Sequence, residues 1–417
     1  MDSSEITLEA VASVSEIAAA DWNACANPQL PADSLDRLDT LASPDAATYS
    51  GVGSKTAYNP FVSHAFFSAL EASGSAVART GWGPRHLLAR LDGEIAGIVP
   101  CYLKSHSQGE YVFDRGWADA YERAGGRYYP KLQASVPFTP ATGPRLLIRD
   151  GVDQQRIGTA LASGLVALCE ATKASSVHVT FAREAEWKFL AAHGFLQRTD
   201  QQFHWHNQGY GGFEDFLATL NSRHRKAIRR ERRDALADGG ITIHALNGSD
   251  ITEDAWDAFF AFYMETGSRK WGRPYLTRTF FSLIGESMAK DVLLVMARRN
   301  GRWIAGAINF IGSDTLFGRN WGAIEHHPFL HFEVCYYQAI DFAIRRGLKT
   351  VEAGAQGEHK IARGYLPQTT YSAHYIADPG LRRAISDYLR HERAYVAEAA
   401  RELTDAGPFR KTADEPS

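Results

Sequence analysis

Hydrophobic and polar positions along the chain follow two periods. Runs of period two mark strands, and apolar residues at i, i+3 and i+4 mark helices. The strongest strand signal is "RHLLARLDGEIAGIVPCYL" (85–103). Two apolar runs flank an Asp-Gly pair there, which predicts a β-hairpin. The signal returns around Asn-Gly in "DVLLVMARRNGRWIAGAINFI" (291–311), and "GEIAG" (93–97) lines up with "GRWIAG" (301–306) if one residue is inserted. A second echo joins "HGFLQRTDQQFHWH" (193–206) to "RGYLPQTTYSAHYI" (363–376), each after a helix-like segment and a strand. Two echoes in the same order predict an internal duplication with a period of roughly 200 residues. The boundary falls in the polar, Gly-rich "HNQGYGG" (206–212). The expected units are 1–206 and 207–417, with most candidate chemistry in the second.

Helical periodicity is plain in the second unit. "GFEDFLATLNSRHRKAIRRERRDALADGG" (212–240) reads as one amphipathic segment closed by Gly239-Gly240. "TEDAWDAFFAFYMETGSRK" (252–270) opens on Thr252, a good N-cap. "FEVCYYQAIDFAIRRG" (332–347) has a helical apolar stripe and ends at glycine, and "KTVEAG" (349–354) is a short strand. The first roughly 50 residues read as a helix and then a loose segment, and the tail beyond Ala406 as frayed. The fold class is therefore α/β (α+β), mixed sheets flanked by helices.

Composition narrows the function. The 417 residues are 45% hydrophobic and 22% charged with a net charge of −3, ordinary for a globular protein and without a global basic field. Any polyanion site must be local. Cys25, Cys101, Cys169 and Cys335 form no CxxC pair, which suits a reducing compartment and argues against a disulfide framework. No run approaches the roughly 18 apolar residues of a membrane span. The start "MDSSEITLEA" lacks the basic and apolar regions of a signal peptide, so a cytoplasmic location is expected.

Three stretches carry candidate chemistry. In "EAGAQGEHKIARGYLP" (352–367) the glycines let the backbone turn and approach a ligand. Glu358 or His359 could take a proton from an amine. Lys360 and Arg363 are cations placed to meet an anion or a developing oxyanion, and Gln356 is a substrate contact. In "LFGRNWGAIEHHPFLHFEVCYYQ" (316–338), Arg319 and Trp321 end a strand, and His331 and Glu333 face a substrate near a helix start. Pro328 disfavours a helix that would align His326, His327 and His331, so no metal site is expected. In "SRHRKAIRRERRDA" (222–235), Arg223, Arg225, Lys226, Arg229, Arg230, Arg232 and Arg233 outnumber the two acids. Such a patch can meet RNA or nucleotide phosphates, or be a solvated helix face. From the first unit, Asp114, Arg115, Tyr129 and Lys131 are candidates across a central cleft, where "YYPKL" and "PFTPATGPR" suit a pocket wall.

These stretches resemble a family. "NPFVSHAFFSALE" (59–71), residues 106–147, "RKWGRPYLTRTFF" (269–281), "LHFEVCYYQAID" (330–341) and "GAQGEHKIARGYLP" (354–367) are similar to the bacterial FemAB-like N-acyltransferases of the GNAT superfamily. The resemblance implies two tandem GNAT-like folds. It also implies transfer of an acyl or aminoacyl group from acyl-CoA or aminoacyl-tRNA, as co-substrate, to an amine of a small molecule or peptide, in peptidoglycan metabolism. No tightly bound cofactor is implied. Fem-type transferases carry a lysine in a loop after a late strand, and Lys360 stands in a comparable place; the basic helix also recurs, which suits a tRNA partner. Two departures stand out. The R/QxxGxG/A turn that binds acyl-CoA pyrophosphate is missing, and so is the long helical arm of some Fem-type proteins. A non-catalytic protein that recognises a peptidoglycan fragment or peptide is the alternative.

Overall fold

A computed structural model describes residues 5–28, 57–237, 240–271, 274–355 and 357–410. Fifteen strands run through it: β1 (Ile6–Val11), β2 (Trp82–Pro84), β3 (His86–Leu91), β4 (Glu94–Val99), β5 (Cys101–Lys104), β6 (Lys131–Ala134), β7 (Leu147–Ile148), β8 (Ser176–Ala182), β9 (Leu196–His206), β10 (Ile241–Asn247), β11 (Val292–Arg299), β12 (Arg302–Ile311), β13 (Thr315–Ala323), β14 (Thr350–Glu352) and β15 (Leu366–Ile376). They form a four-stranded sheet, β1-β3-β4-β7, and an eleven-stranded sheet, β10-β11-β12-β13-β14-β9-β15-β8-β6-β5-β2. Helices pack on both.

Both predicted hairpins form, and their details repeat. Asp92 and Gly93 turn β3 into β4 with φ of 51° and 90°; Asn300 and Gly301 turn β11 into β12 with 48° and 80°. Two successive positive φ values are what a tight hairpin turn requires, and Asn, Asp and Gly tolerate them best. Each hairpin carries a bulge at the same place, at Ala89/Arg90 and Ala297/Arg298. Each bulge arginine bonds the carbonyl of the turn glycine, Arg90 to Gly93 at 3.1 Å and Arg298 to Gly301 at 2.8 Å. The pairing aligns Ala89↔Gly97 with Ala297↔Ala305, so the inserted residue expected from the sequence is not needed.

The second echo becomes the centre of the molecule. β9 and β15 are both 11 residues long and pair antiparallel, Leu196 with His374 and His204 with Leu366. β9, from the first unit, lies between β14 and β15 of the second. β15 in turn lies beside β8 of the first. The closing strand of each unit is thus built into the other's part of the sheet, and the boundary near residue 206 divides the sequence but not the sheet. A shared aromatic core reinforces this: the Phe61 ring lies 4.8 Å from Phe310 and 5.3 Å from Phe317, and Phe66 5.7 Å from Phe280.

Several local expectations change. The chain opens with strand β1, while residues 29–56, expected to be loose, lie outside the described residues, as do Gly239 and the tail from 411. The basic segment breaks into Phe213–Thr219 and Ser222–Ala235, because Asn221 caps the second helix by accepting from the His224 N–H. Thr252 caps Glu253–Trp271 as expected, through the Ala255 N–H. The helix at 332–347 forms with a π turn, Glu333–Tyr337, at its start.

Because the units exchange strands, residues 1–206 alone expose the edges that β14 and β15 cover. Expressed alone, this fragment should aggregate or fail to melt cooperatively, and co-expression with 207–417 should restore a soluble complex. Size-exclusion chromatography and thermal melts check it; a cooperatively folded 1–206 monomer would contradict the exchange.

Candidate active site

The loop that stood out in the sequence is ordered by a short 3-10 helix, Glu358–Arg363. One turn of such a helix sends successive side chains in different directions, and the candidates separate accordingly. Lys360 turns inward and is 4% exposed; its ammonium donates to the Gly354 carbonyl at 3.1 Å. Burial drives its pKa down to about 8, with the Arg319 charge adding to the fall and Cys335 opposing it. His359 turns outward and bonds the Tyr336 hydroxyl at 3.0 Å. It joins a ring cluster with His331 and Phe332, and Trp321 packs on His331 at 5.1 Å. Gln356 and the Glu358 side chain lie outside the described residues.

Arg363 and Glu333 serve the scaffold rather than an open pocket. Arg363 bonds both Glu231 oxygens at 2.9 and 2.8 Å and lies 3.4 Å over the Phe332 ring. Glu231 also accepts from the Tyr337 hydroxyl. Buried Glu333 is held by Arg232 at 3.0 and 3.1 Å and by Gln338 at 2.7 Å. The first clamp bolts the basic helix to the Lys360 turn, and the second bolts it to the π turn Glu333–Tyr337. On its outer face Arg223, Lys226 and Arg230 are exposed, while Arg229 pairs with Glu214 and Arg233 with Asp234. Arg225 is half-buried and bonds the Leu220 carbonyl.

Arg319 leads to residues that the sequence reading passed over. Its side chain is 6% exposed at the junction of the units, the guanidinium 4.9 Å over Phe61 and 3.4 Å from Glu352. Its Nε has no partner among the described residues. Burial pushes the Glu352 carboxyl up to about 7; Arg319, Arg145 and the Thr142 N–H hold it from rising further. Thr142 belongs to the "PFTPATGPR" wall, and Gln202 reaches the same wall by bonding the Pro140 carbonyl at 2.5 Å. His204 stands 3.9 Å from Glu352, and burial takes its pKa to about 3, so it is neutral. A lone glutamate in an apolar strand, "TVE", paired in register with His204 of "HWH", was the available signal.

The first-unit candidates form a cluster of their own. Lys131 is fully buried between Glu110, at 2.7 Å, and Asp114. Asp114 also accepts from Tyr128 at 2.7 Å. Tyr129 bonds Ser107 at 2.8 Å, and Arg115 is exposed at a helix start. These charges satisfy one another instead of lining a cleft with Lys360. A cavity of about 640 Å³ also lies in the first unit, walled by Ser13, Glu71, Gly83 and Arg85. Its acid, Glu71, is already engaged by His86 at 2.7 Å and the Val14 N–H at 2.9 Å. Among the described residues no group of three His, Cys, Asp or Glu could hold a metal, and His327 pairs with Glu325.

Residues 13–411 match the FemAB-like family, described as peptidoglycan biosynthesis/recognition. The chain belongs to that family. Its mixed sheets flanked by helices, with the hairpin and the long closing strand each present twice, are the α/β architecture expected from the sequence. Solved structures of similar shape include FemX (13% identity, 76% of this chain and 93% of that one, TM-score 0.48). A tandem GNAT protein from the clavulanic acid biosynthesis pathway is similar over 90% of this chain and 99% of its own (13% identity, TM-score 0.43). L-PGS from Bacillus licheniformis is similar over 84% and 99% (9% identity, TM-score 0.47). No curated protein matches this FemAB-like chain. Among its described residues no helix is long and apolar enough to cross a membrane.

The Glu231–Arg363 clamp is the joint most exposed to a single change. Its side chains are 12% and 7% exposed, so Glu231→Ala leaves a buried guanidinium unpaired. The variant should lose about 3 kcal/mol of stability, read by urea denaturation. A loss below about 1 kcal/mol, the size of a surface pair, would contradict this role.

Proposed function

We propose that this FemAB-like protein is an N-acyltransferase that moves an acyl or aminoacyl group from an activated donor to an amine. The observation that carries the reading is the desolvated centre of Lys360, Arg319 and Glu352, where an amine and a carboxyl both titrate near neutrality. Groups poised at the working pH are what proton transfer needs. The acceptor nitrogen attacks the acyl carbon and forms the C–N bond. Its proton passes to Glu352. The C–O bond of an aminoacyl ester, or the C–S bond of a thioester, breaks, and Lys360 returns a proton to the leaving atom. Positive charge at Lys360 and Arg319 favours the oxyanion formed on the way. Glu352 takes the role that the sequence reading gave to Glu358 or His359.

The exposed Arg223, Lys226 and Arg230 favour a donor with phosphates, and their helix is clamped to the turn that bears Lys360. Aminoacyl-tRNA fits this strip, and acyl-CoA is the second candidate. The family description supports a peptidoglycan precursor or peptide as acceptor. A binding protein for such fragments is the other reading; a solvated Lys360 of ordinary basicity would favour it.

Acetyl-CoA, longer acyl-CoAs and charged tRNA, each offered to the purified protein, test the donor by thermal shift and by transfer to a peptide amine. One donor should stabilise the wild type, by about 2.7 kcal/mol at a hundredfold excess over Kd. Lys360→Ala should abolish transfer. No shift and no transfer with any donor would favour the binding protein. The rate should peak between about pH 7 and 8, because Glu352 must be ionised and Lys360 protonated. Glu352→Gln should cost on the order of 10²–10⁴ in rate. Lys360→Arg keeps the charge but is too weak an acid to return the proton, so its rate should also fall well below the wild type. A profile without these two limbs would contradict the assignment.

A further inference from the structure

One place in the repeated fold is filled in the second half and open in the first. Pro84↔Tyr102 corresponds to Val292↔Phe310, since both pairs continue ladders in which Leu87↔Val99 matches Val295↔Ala307. Along the same strands Gly83 matches Asp291, Arg85 matches Leu293, and Ser105 matches Ser313. In the second half the chain itself occupies this place. The Tyr58 N–H donates to the Ser313 hydroxyl at 3.0 Å, the Ser313 N–H to the Tyr58 carbonyl at 3.2 Å, and the Tyr58 phenol to Asp291 at 2.6 Å. A Cβ on Gly312 would meet the Tyr58 carbonyl at 2.8 Å, so this segment lies tight against the strand end. Asn247, opposite Leu293, shuts the strand edge as well: its amide donates to the carbonyls of Lys290 and Val292 at 3.0 and 2.6 Å.

The first half replaces each of these closures. Ala12 follows the Val11↔His86 pair and so stands where Asn247 stands in the other half, without an amide to give. Gly83 offers no carboxylate, and the Ser105 N–H bonds the Gly81 carbonyl at 3.4 Å instead of a tyrosine segment. What remains is the cavity of about 640 Å³, walled by Gly83, Arg85 and Ser105, with Val14, Val77 and Leu103 as apolar lining. Pockets of this size enclose small molecules. Glu71 on its wall is spent on His86, the Val14 N–H and the Ser13 hydroxyl. The buried Lys104 ammonium lies 3.6 Å over the Trp82 ring. Arg85 is half-buried, bonds the Pro84 carbonyl at 2.7 Å, and pairs with no carboxylate among the described residues. A partly desolvated guanidinium without an acid binds an incoming anion more strongly than one in open water does.

We propose that this cavity is a binding site for a small monocarboxylate whose apolar body is about the size of a tyrosine side chain. The body takes the place that Tyr58 fills in the second half, and the carboxylate meets Arg85. The exchange of residues sets the sign. The second half offers Asp291 to a phenol that donates, and the first half offers Arg85 to a group that accepts. A single unpaired guanidinium matches one negative charge, and apolar walls disfavour a heavily hydrated anion such as phosphate. The cavity shares no lining residue with Lys360, Arg319 and Glu352, so the site does not depend on the transferase reading.

3-Phenylpropionate and its neutral counterpart 3-phenylpropionamide, each titrated against the full chain and followed by NMR of the ligand, test the site without any donor. The acid should bind with Kd below about 1 mM and the amide about tenfold more weakly or worse, the difference that one charge-assisted pair makes. Two variants take the second half's own residues at matching places, so both should melt as the wild type does. Arg85→Leu should bring acid and amide to equal affinity. Gly83→Asp should abolish binding of the acid, because the new carboxylate repels it, while its Cβ meets nothing nearer than 3.5 Å. Binding of the acid no tighter than that of the amide would overturn the proposal. So would acid binding that survives Arg85→Leu unchanged, or no binding of the acid to the wild type.

Discussion

The antiparallel pairing of β9 with β15 is the constraint on which the rest depends. Each strand closes one half of the chain and completes the other half's portion of the sheet. Their register is symmetric, so the pseudo-two-fold axis passes through the pair Asp200↔Thr370. The exchange removes two sheet edges that would otherwise need protection. It also brings His204 and Gln202 of the first half beside Glu352 of the second. Arg319, Glu352 and Lys360 all belong to the second half, and the first half supplies the neighbours His204 and Gln202.

Three desolvated charges lie near that joint. A buried guanidinium, carboxyl and ammonium each carry a desolvation penalty of several kcal/mol, and pairing repays it only in part. Arg319 and Glu352 touch at 3.4 Å, longer than a strong charged hydrogen bond, and Lys360 has a carbonyl rather than a carboxylate as its acceptor. The ion pairs that satisfy one another, Glu231–Arg363 and Lys131 with Glu110 and Asp114, hold the scaffold.

Local signals were legible in the sequence, and partners across the fold were not. The Asp92-Gly93 and Asn300-Gly301 turns were readable because turn chemistry is set by adjacent residues. The echo at 193–206 and 363–376 became two strands of equal length. Which strands they would join was hidden, because each fits the sheet of either half. β1 and β10 were missed because edge strands with solvated faces lack a strong apolar period. Lys360 stood out by its Gly-rich setting. Glu352 was passed over because one acid in a three-residue strand means little until the cross-strand histidine is known. Arg363 and Glu333 drew attention as charges, but only their distances to Glu231 and Arg232 show that they are already spent.

The most direct test is a titration of the Lys360 ammonium in the folded protein. Lysines labelled with ¹³C at Cε are followed by NMR, and the Lys360 resonance is assigned by its loss in Lys360→Arg. The desolvated centre predicts a pKa near 8. An ordinary value of about 10.4 would place the amine in water and remove the basis for the centre.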